Sequence, residues 1–147
     1  MKKNILMLAF MLLTTFTLFA QKSQVFVKSG VAINGYDPVA YFKKNKPVKG
    51  DEQFSFKWNE ANWLFSSQEN LDSFKMNPLK FAPQYGGYCA YGMSEGHKAS
   101  TEPGAWTIVN EKLYLNYNSK VKTYWNKDQA KRIEDADKKW PELKDKE

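Results

Sequence analysis

Phe54, Phe56 and Trp58 alternate with Ser55 and Lys57, and the aromatic run resumes soon afterwards as Trp63-Leu64-Phe65. A side-chain period of two belongs to a strand with one buried face, so this segment predicts a β-hairpin turning through Asn59-Glu60-Ala61-Asn62. A second hairpin is expected where Trp106-Thr107-Ile108-Val109 and Lys112-Leu113-Tyr114-Leu115-Asn116 flank Asn110-Glu111. Asn-Glu is a weaker turn signal than Asn-Gly and allows a longer loop. Helix signals stand between and after the hairpins. Ser66 or Ser67 is a cap, Ser66 with Glu69 has capping-box spacing, Leu71 and Phe74 follow at i, i+3, and Pro78 closes the pattern. Asn118 caps a stripe of Val121, Trp125, Ile133, Ala136 and Trp140 that runs at helical spacing to Pro141 and is expected to lie across the sheet. Upstream, Asn34-Gly35 marks a turn and Pro38 opens a short helical turn after an extended residue. Hairpins with helices between and after them predict an α+β domain: a small antiparallel sheet of hairpins packed by helices, including a C-terminal amphipathic helix. Five Trp, ten Phe and eight Tyr supply the area to bury.

The N-terminus carries a different message. Lys2 and Lys3 precede an uncharged apolar run from Ile5 to Ala20, which gives way to Gln21-Lys22-Ser23-Gln24. This is the pattern of a secretory signal peptide over residues 1–20, cleaved after Ala20. As a helix the run reaches only about 24 Å, short of a bilayer's hydrocarbon core, so no stable membrane anchor is expected after cleavage. Export to the periplasm or the exterior follows. Residues 21–30 then form an N-terminal extension, 31–143 the domain and 144–147 a polar tail. The formal charge of +6 is scattered, with no long basic run, which argues against nucleic acid as a partner.

Cys89 and His97 are the chain's only cysteine and histidine, and Met93 lies midway between them in Tyr88-Cys89-Ala90-Tyr91-Gly92-Met93-Ser94-Glu95-Gly96-His97. An exported protein usually pairs its cysteines, and this one has no partner within the chain. Cys89 is therefore a small buried hydrophobe, a ligand, or paired between chains. Thiolate, thioether and imidazole together suit a soft transition metal, copper above all. In one continuous helix Cys89 and His97 would stand about 12 Å apart along the axis, too far to share an ion. Gly92 and Gly96 instead suggest a glycine-rich loop that folds Cys89, Met93 and His97 toward one point, or that packs the thiol inward and leaves the imidazole in water. A second reading draws on the aromatic residues: Tyr88, Tyr91 and Trp106, with Tyr85, would line a pocket for a small apolar ligand or a haem, Cys89 or His97 serving as axial ligand. A Cys89–His97 nucleophile and base would need a third orienting group, for which Asp37 and Glu95 are the candidates. No phosphate loop, zinc-protease motif or redox cysteine pair is present, and an enzyme is not expected.

The stretch from Trp63 to Phe81, with its aromatic strand end, Ser66, Phe74 and Asn77-Pro78, resembles the YHS domain, and Asp37-Pro38-Val39 resembles that domain's opening. Gly35-Tyr36-Asp37-Pro38-Val39-Ala40-Tyr41-Phe42, Tyr88-Cys89-Ala90-Tyr91-Gly92 and Leu113-Tyr114-Leu115-Asn116 are similar to the family's exported single-domain branch, over about Val31 to Leu143. Some YHS domains are appended to copper and silver transporters and are thought to hold soft metal with cysteines after Asp-Pro-Val and around the next helix start. Here those positions carry Ala40, Ser66 and Asn70, so the resemblance does not supply that site. The expected function is a non-enzymatic exported domain that binds copper through Cys89, Met93 and His97 as carrier or accessory factor. The alternative is a non-metal binding module whose aromatic pocket takes a small apolar ligand, haem or protein partner.

Overall fold

Asp37 has no access to solvent, yet its carboxylate joins three segments of chain. In the computed structural model, which describes residues 23–146, one carboxylate oxygen accepts the backbone N–H groups of Val39 at 2.8 Å and Ala40 at 3.2 Å. These bonds cap helix α1 (Pro38–Lys44), whose first residue is the proline that needs no partner there. The other oxygen accepts the backbone N–H of Ser66 at 2.8 Å, the Ser66 hydroxyl at 2.7 Å and the Asn70 side-chain amide at 2.7 Å. The proposed leader at 1–20 lies outside the described residues.

Three antiparallel hairpins make up the strand content among the described residues, each a separate two-stranded sheet. The expectation of α+β architecture is met, as hairpins with helices packed against them. Strands β1 (Val27–Lys28) and β2 (Val31–Ala32) form the first. Within the expected N-terminal extension, Val25 is 1% exposed and belongs to the core. Strands β3 (Asp51–Trp58) and β4 (Ala61–Phe65) form the second, with Phe56 opposite Trp63. Its turn is tighter than the sequence suggests. Asn59 and Glu60 alone reverse the chain, at φ of 49° and 60°, while Ala61 and Asn62 already lie in β4. Two consecutive left-handed residues give the turn whose twist matches the flanking strands.

Helix α2 (Gln68–Met76) is capped by Ser67, whose hydroxyl accepts the Asn70 N–H at 3.1 Å. The expected Ser66–Glu69 capping box does not form, because Asp37 engages Ser66 and Lys43 pairs with Glu69 at 2.8 Å. Phe74 docks α2 on the second hairpin, its ring meeting those of Phe56, Trp58, Trp63 and Phe65 at centroid distances of 5.1 to 6.4 Å. Pro78 ends this pattern and opens the single turn α3 (Pro78–Phe81).

The glycine-rich segment is a helix, α4 (Ala90–Glu95), and not the expected loop. Gly96 supplies the left-handed cap, φ 95°, and its N–H returns to the carbonyls of Gly92 and Met93, so this glycine terminates a helix. The third hairpin pairs β5 (Trp106–Val109) with β6 (Lys112–Leu115) through the two residues Asn110 and Glu111, both left-handed. Asn118 caps the next helix as expected, accepting the Val121 N–H at 2.9 Å. The C-terminal stripe, however, divides at Asp128 into α5 (Ser119–Lys127) and α6 (Gln129–Leu143), and Pro141 lies inside α6. The Lys144 N–H still reaches the Trp140 carbonyl at 2.8 Å, so the helical path survives the proline. Helix α6 packs mainly on α4, and its Ile133, Ala136 and Trp140 share a core with Val109 and Tyr114 of the third hairpin. A larger core gathers the first two hairpins, α1 and α2; a second holds Tyr85, Met93, Tyr114, Trp125 and Ala136, with Ile133 and Trp140 against it.

The Asp37 cluster sets a stability test. In Asp37→Asn one oxygen still caps α1, but the new NH2 faces three groups that donate to it now. We expect a loss of about 3 kcal/mol in chemical denaturation, against about 1 kcal/mol for Ser66→Ala, which removes one donor and leaves the carboxylate in place.

Candidate functional site

Two left-handed turns meet beside the N-terminal segment. Ile33, Asn34 and Gly35 have φ of 42°, 59° and 76°, and Tyr85, Gly86 and Gly87 have φ of 56°, 64° and 86°. For a β-branched or aromatic residue this backbone region is costly. The turns touch so closely that a Cβ on Gly87 would stand 2.4 Å from Ile33 Cγ2, and one on Gly86 1.7 Å from the Gln24 carbonyl oxygen. Phe26 is laced between them: its N–H donates to the Gly86 carbonyl and its carbonyl accepts the Ile33 N–H, both at 2.9 Å.

This junction forms one wall of a cleft of about 200 Å³. Gln24, Val25, Tyr85 and Gly86 line it together with Trp58, Asn59, Trp63, Leu79, Ala82, Pro83, Gln84 and Trp140. The Tyr85 hydroxyl donates to an Asp137 carboxylate oxygen at 2.8 Å, and its ring meets Trp140 edge-on at 6.1 Å. Burial, reinforced by the Asp137 carboxylate, holds the Tyr85 phenol far above its ordinary range, so it is a neutral, anchored ring at physiological pH. The lining combines four aromatic residues with the amide side chains of Gln24, Asn59 and Gln84, in a volume comparable to about one or two aromatic rings. A second cleft, about 350 Å³, is lined by Ser23, Val25, Phe26, Val27, Tyr88, Lys98, Ala99 and Ser100.

The residues singled out from the sequence sit in several places. Tyr88 lines the second cleft and donates to the Ser23 carbonyl at 2.8 Å. Tyr91 lies beneath the Arg132 guanidinium, 4.2 Å from its ring centroid, and Trp106 packs on Tyr41 at 5.4 Å. Tyr91 and Trp106 line neither cleft, and neither do Cys89 and His97.

Cys89 is 1% exposed and caps α4 with its sulfur. Sγ accepts the N–H of Tyr117 at 3.2 Å and of Gly92 at 3.4 Å, and the thiol points at Asn116 Oδ1, 3.6 Å away. Burial pushes the thiol pKa up, and the backbone N–H groups offset this only in part. The buried Asn116 is held by the Tyr91 N–H at 3.0 Å on its oxygen, while its NH2 has no partner. Met93 is fully buried in the second core, beside Trp125 and Tyr114. His97 is exposed beyond the Gly96 cap, with its Nε2 against the open face of Gly92. Copper held by all three would require the sulfur to lose its proton and give up two N–H donors, and Met93 to turn out of an apolar core. Among the described residues no three His, Cys, Asp or Glu side chains converge on a metal-sized point.

Asp37 and Glu95 do not orient His97. The first is committed to Ser66, Asn70 and α1, the second to Arg132. At the positions where the YHS resemblance places cysteines, Ser66 and Asn70 both donate to Asp37 and Ala40 is fully buried. Alternation places Trp58 on the buried face of a strand and helical spacing places Trp140 in an apolar stripe, and neither period distinguishes an indole that fills a core from one that also lines a cleft at its edge. No protein-family model matches the chain, and no curated protein or solved structure does.

Cys89, Tyr41 and Tyr85 all titrate above their ordinary ranges because they are buried. A group protonated more tightly when folded supports the fold below its unfolded pKa and loses that support as pH rises. Stability should therefore begin to fall above about pH 8.5, where an unfolded thiol ionises, and more steeply past about pH 10, where unfolded phenols do. Denaturation curves across pH 7 to 11 check this, and Tyr85→Phe should flatten the upper part. Alkylation of Cys89 in the native protein should run at least about a hundredfold slower than in denaturant.

Proposed function

We propose that this chain is an exported, non-enzymatic binding module that receives a single-ring or branched aliphatic group, from a small molecule or a partner's side chain, in the cleft walled by Trp58, Trp63, Tyr85 and Trp140. One observation carries the reading: a buried tyrosine held in a left-handed backbone conformation lines a cleft together with three tryptophans. Strained residues persist where the surrounding structure imposes them, and they gather at ligand sites. The size of the cleft favours a compact group over a tetrapyrrole. Cys89 and His97 lie outside its lining, so neither is placed as an axial ligand there. The sulfur's role as a helix cap favours this reading over copper carriage by Cys89, Met93 and His97.

The five tryptophans provide an internal control. Trp58, Trp63 and Trp140 line the cleft, whereas Trp106 packs on Tyr41 and Trp125 lies beside Met93. In a titration with indole followed by the indole N–H signals in NMR, the first three should shift saturably and the last two should stay still. Filling the cleft with Gln84→Trp should weaken binding at least about tenfold. Shifts spread evenly over all five signals, or none, would overturn the proposal. The same spectra test the alternative, because Cu(I) bound at Met93 would move Trp125 first, and Cys89→Ser would abolish that shift.

A further inference from the structure

The turn that joins α2 to α3 reads Lys75-Met76-Asn77-Pro78-Leu79-Lys80, and its two apolar side chains stand almost wholly in water. Met76 is 87% exposed and Leu79 79%, against 37 to 49% for the other exposed large hydrophobic residues. Neighbouring rings anchor the flanking lysines. Lys75 Nζ lies 5.2 Å from the Phe56 ring centroid and Lys80 Nζ 5.4 Å from that of Phe81, so each stem lies over an aromatic face while the residue remains exposed. Neither lysine is in an ion pair among the described residues. The nearby carboxylates are engaged: Glu69 pairs with Lys43, and Asp72 accepts from Gln68 at 2.9 Å. No acidic residue occurs between Ser73 and Phe81. Helix α1, which packs on both α2 and α3, adds the exposed Lys44 and, just beyond its end, Lys46.

We propose that this turn docks the protein on an anionic bilayer surface, with Met76 and Leu79 entering the headgroup–acyl boundary and Lys75 and Lys80 meeting lipid phosphates. Charge complementarity selects this occupant. Two projecting aliphatic side chains between two unpaired cations match a soft apolar phase beneath a negative layer. A protein interface instead needs a broad packed patch with buried anchors. Leu79 also lines the aromatic cleft, so docking would bring the cleft's mouth to the membrane surface. The proposal stands independently of what the cleft binds.

The test reads the turn itself, so it can use the full chain whether or not the leader also touches lipid. Hydrogen peroxide converts exposed methionine to the sulfoxide, and peptide mass spectrometry gives the rate at Met76. Vesicles of phosphatidylcholine with about 30% phosphatidylglycerol should slow oxidation of Met76 at least about fivefold, and about 1 M salt should remove most of that protection. Phosphatidylcholine alone should protect little, and Lys75→Gln with Lys80→Gln should lose most of the effect. An unchanged rate with anionic vesicles, equal protection by neutral ones, or full protection in the double variant would each overturn the proposal.

Discussion

A single carboxylate without solvent access determines how the first half of the molecule is joined. Removing an ion from water carries a penalty of several kcal/mol unless hydrogen bonds replace the lost hydration. Asp37 receives them from the first turn of α1, from the end of β4 and from the first turn of α2. None of these segments can shift without stranding either the carboxylate or a donor. The hairpin whose aromatic residues pack on Phe74 is thereby fixed against α1, and α2 starts where Ser67, not Ser66, is free to cap it. Polar specificity and aromatic packing support the same arrangement: the carboxylate sets the angle between elements, and the Phe74 cluster supplies the apolar burial.

A second junction joins the N-terminal segment to the middle of the chain through close backbone contacts and hydrogen bonds. Two turns of left-handed residues, one containing Ile33 and the other Tyr85, pack against each other and against Val25 and Phe26. Glycine is required at 86 and 87 for contact as much as for conformation, since a side chain at either position would collide with the opposite strand of chain. The cost of turning Tyr85 is offset by its hydrogen bond to Asp137 and its ring contacts with Tyr114 and Trp140. Tyr85 thus belongs to the second core and also lines the cleft beside it.

Much of the architecture was legible in the sequence because it rests on local rules. Alternation at Phe54, Phe56 and Trp58, the cap at Asn118, the proline at 38 and the hairpin ending at Leu115 all follow from period, capping or fixed φ. What escaped depended on partners distant in sequence. Ser66 satisfies every local criterion for a cap, yet Asp37, far upstream, claims its hydroxyl. Gly92 and Gly96 read as a loop, yet packing against α6, with Arg132 on Ser94 and Glu95 and Lys139 on the Ser94 carbonyl, holds the segment helical. The break at Asp128 leaves no mark in the apolar stripe, because Trp125 and Ile133 keep helical spacing across it. The aromatic cleft was legible as a class of residue and not as a place, since Trp58, Trp63, Tyr85 and Trp140 come from four separate elements or turns.

The rarest side chains in the chain illustrate why chemical rarity is a poor guide to a site. A thiol, a thioether and an imidazole within a short span invite a metal, but in a helix of this length their directions diverge. Cys89 at the N-cap turns back on Gly92, Met93 one turn later faces the α5–α6 core, and His97 follows the chain out past Gly96. Each direction is set by an ordinary requirement: an acceptor for orphan N–H groups, a flexible filler for a core, a polar residue after a glycine cap. The surface features that no such requirement explains are the ringed opening beside Tyr85 and the two aliphatic side chains left in water at the α2–α3 turn. Leaving Met76 and Leu79 exposed forfeits apolar burial that a polar residue at either position would not sacrifice. What sets both features apart is shape and apolar surface, and at the turn lysine flanks it on either side.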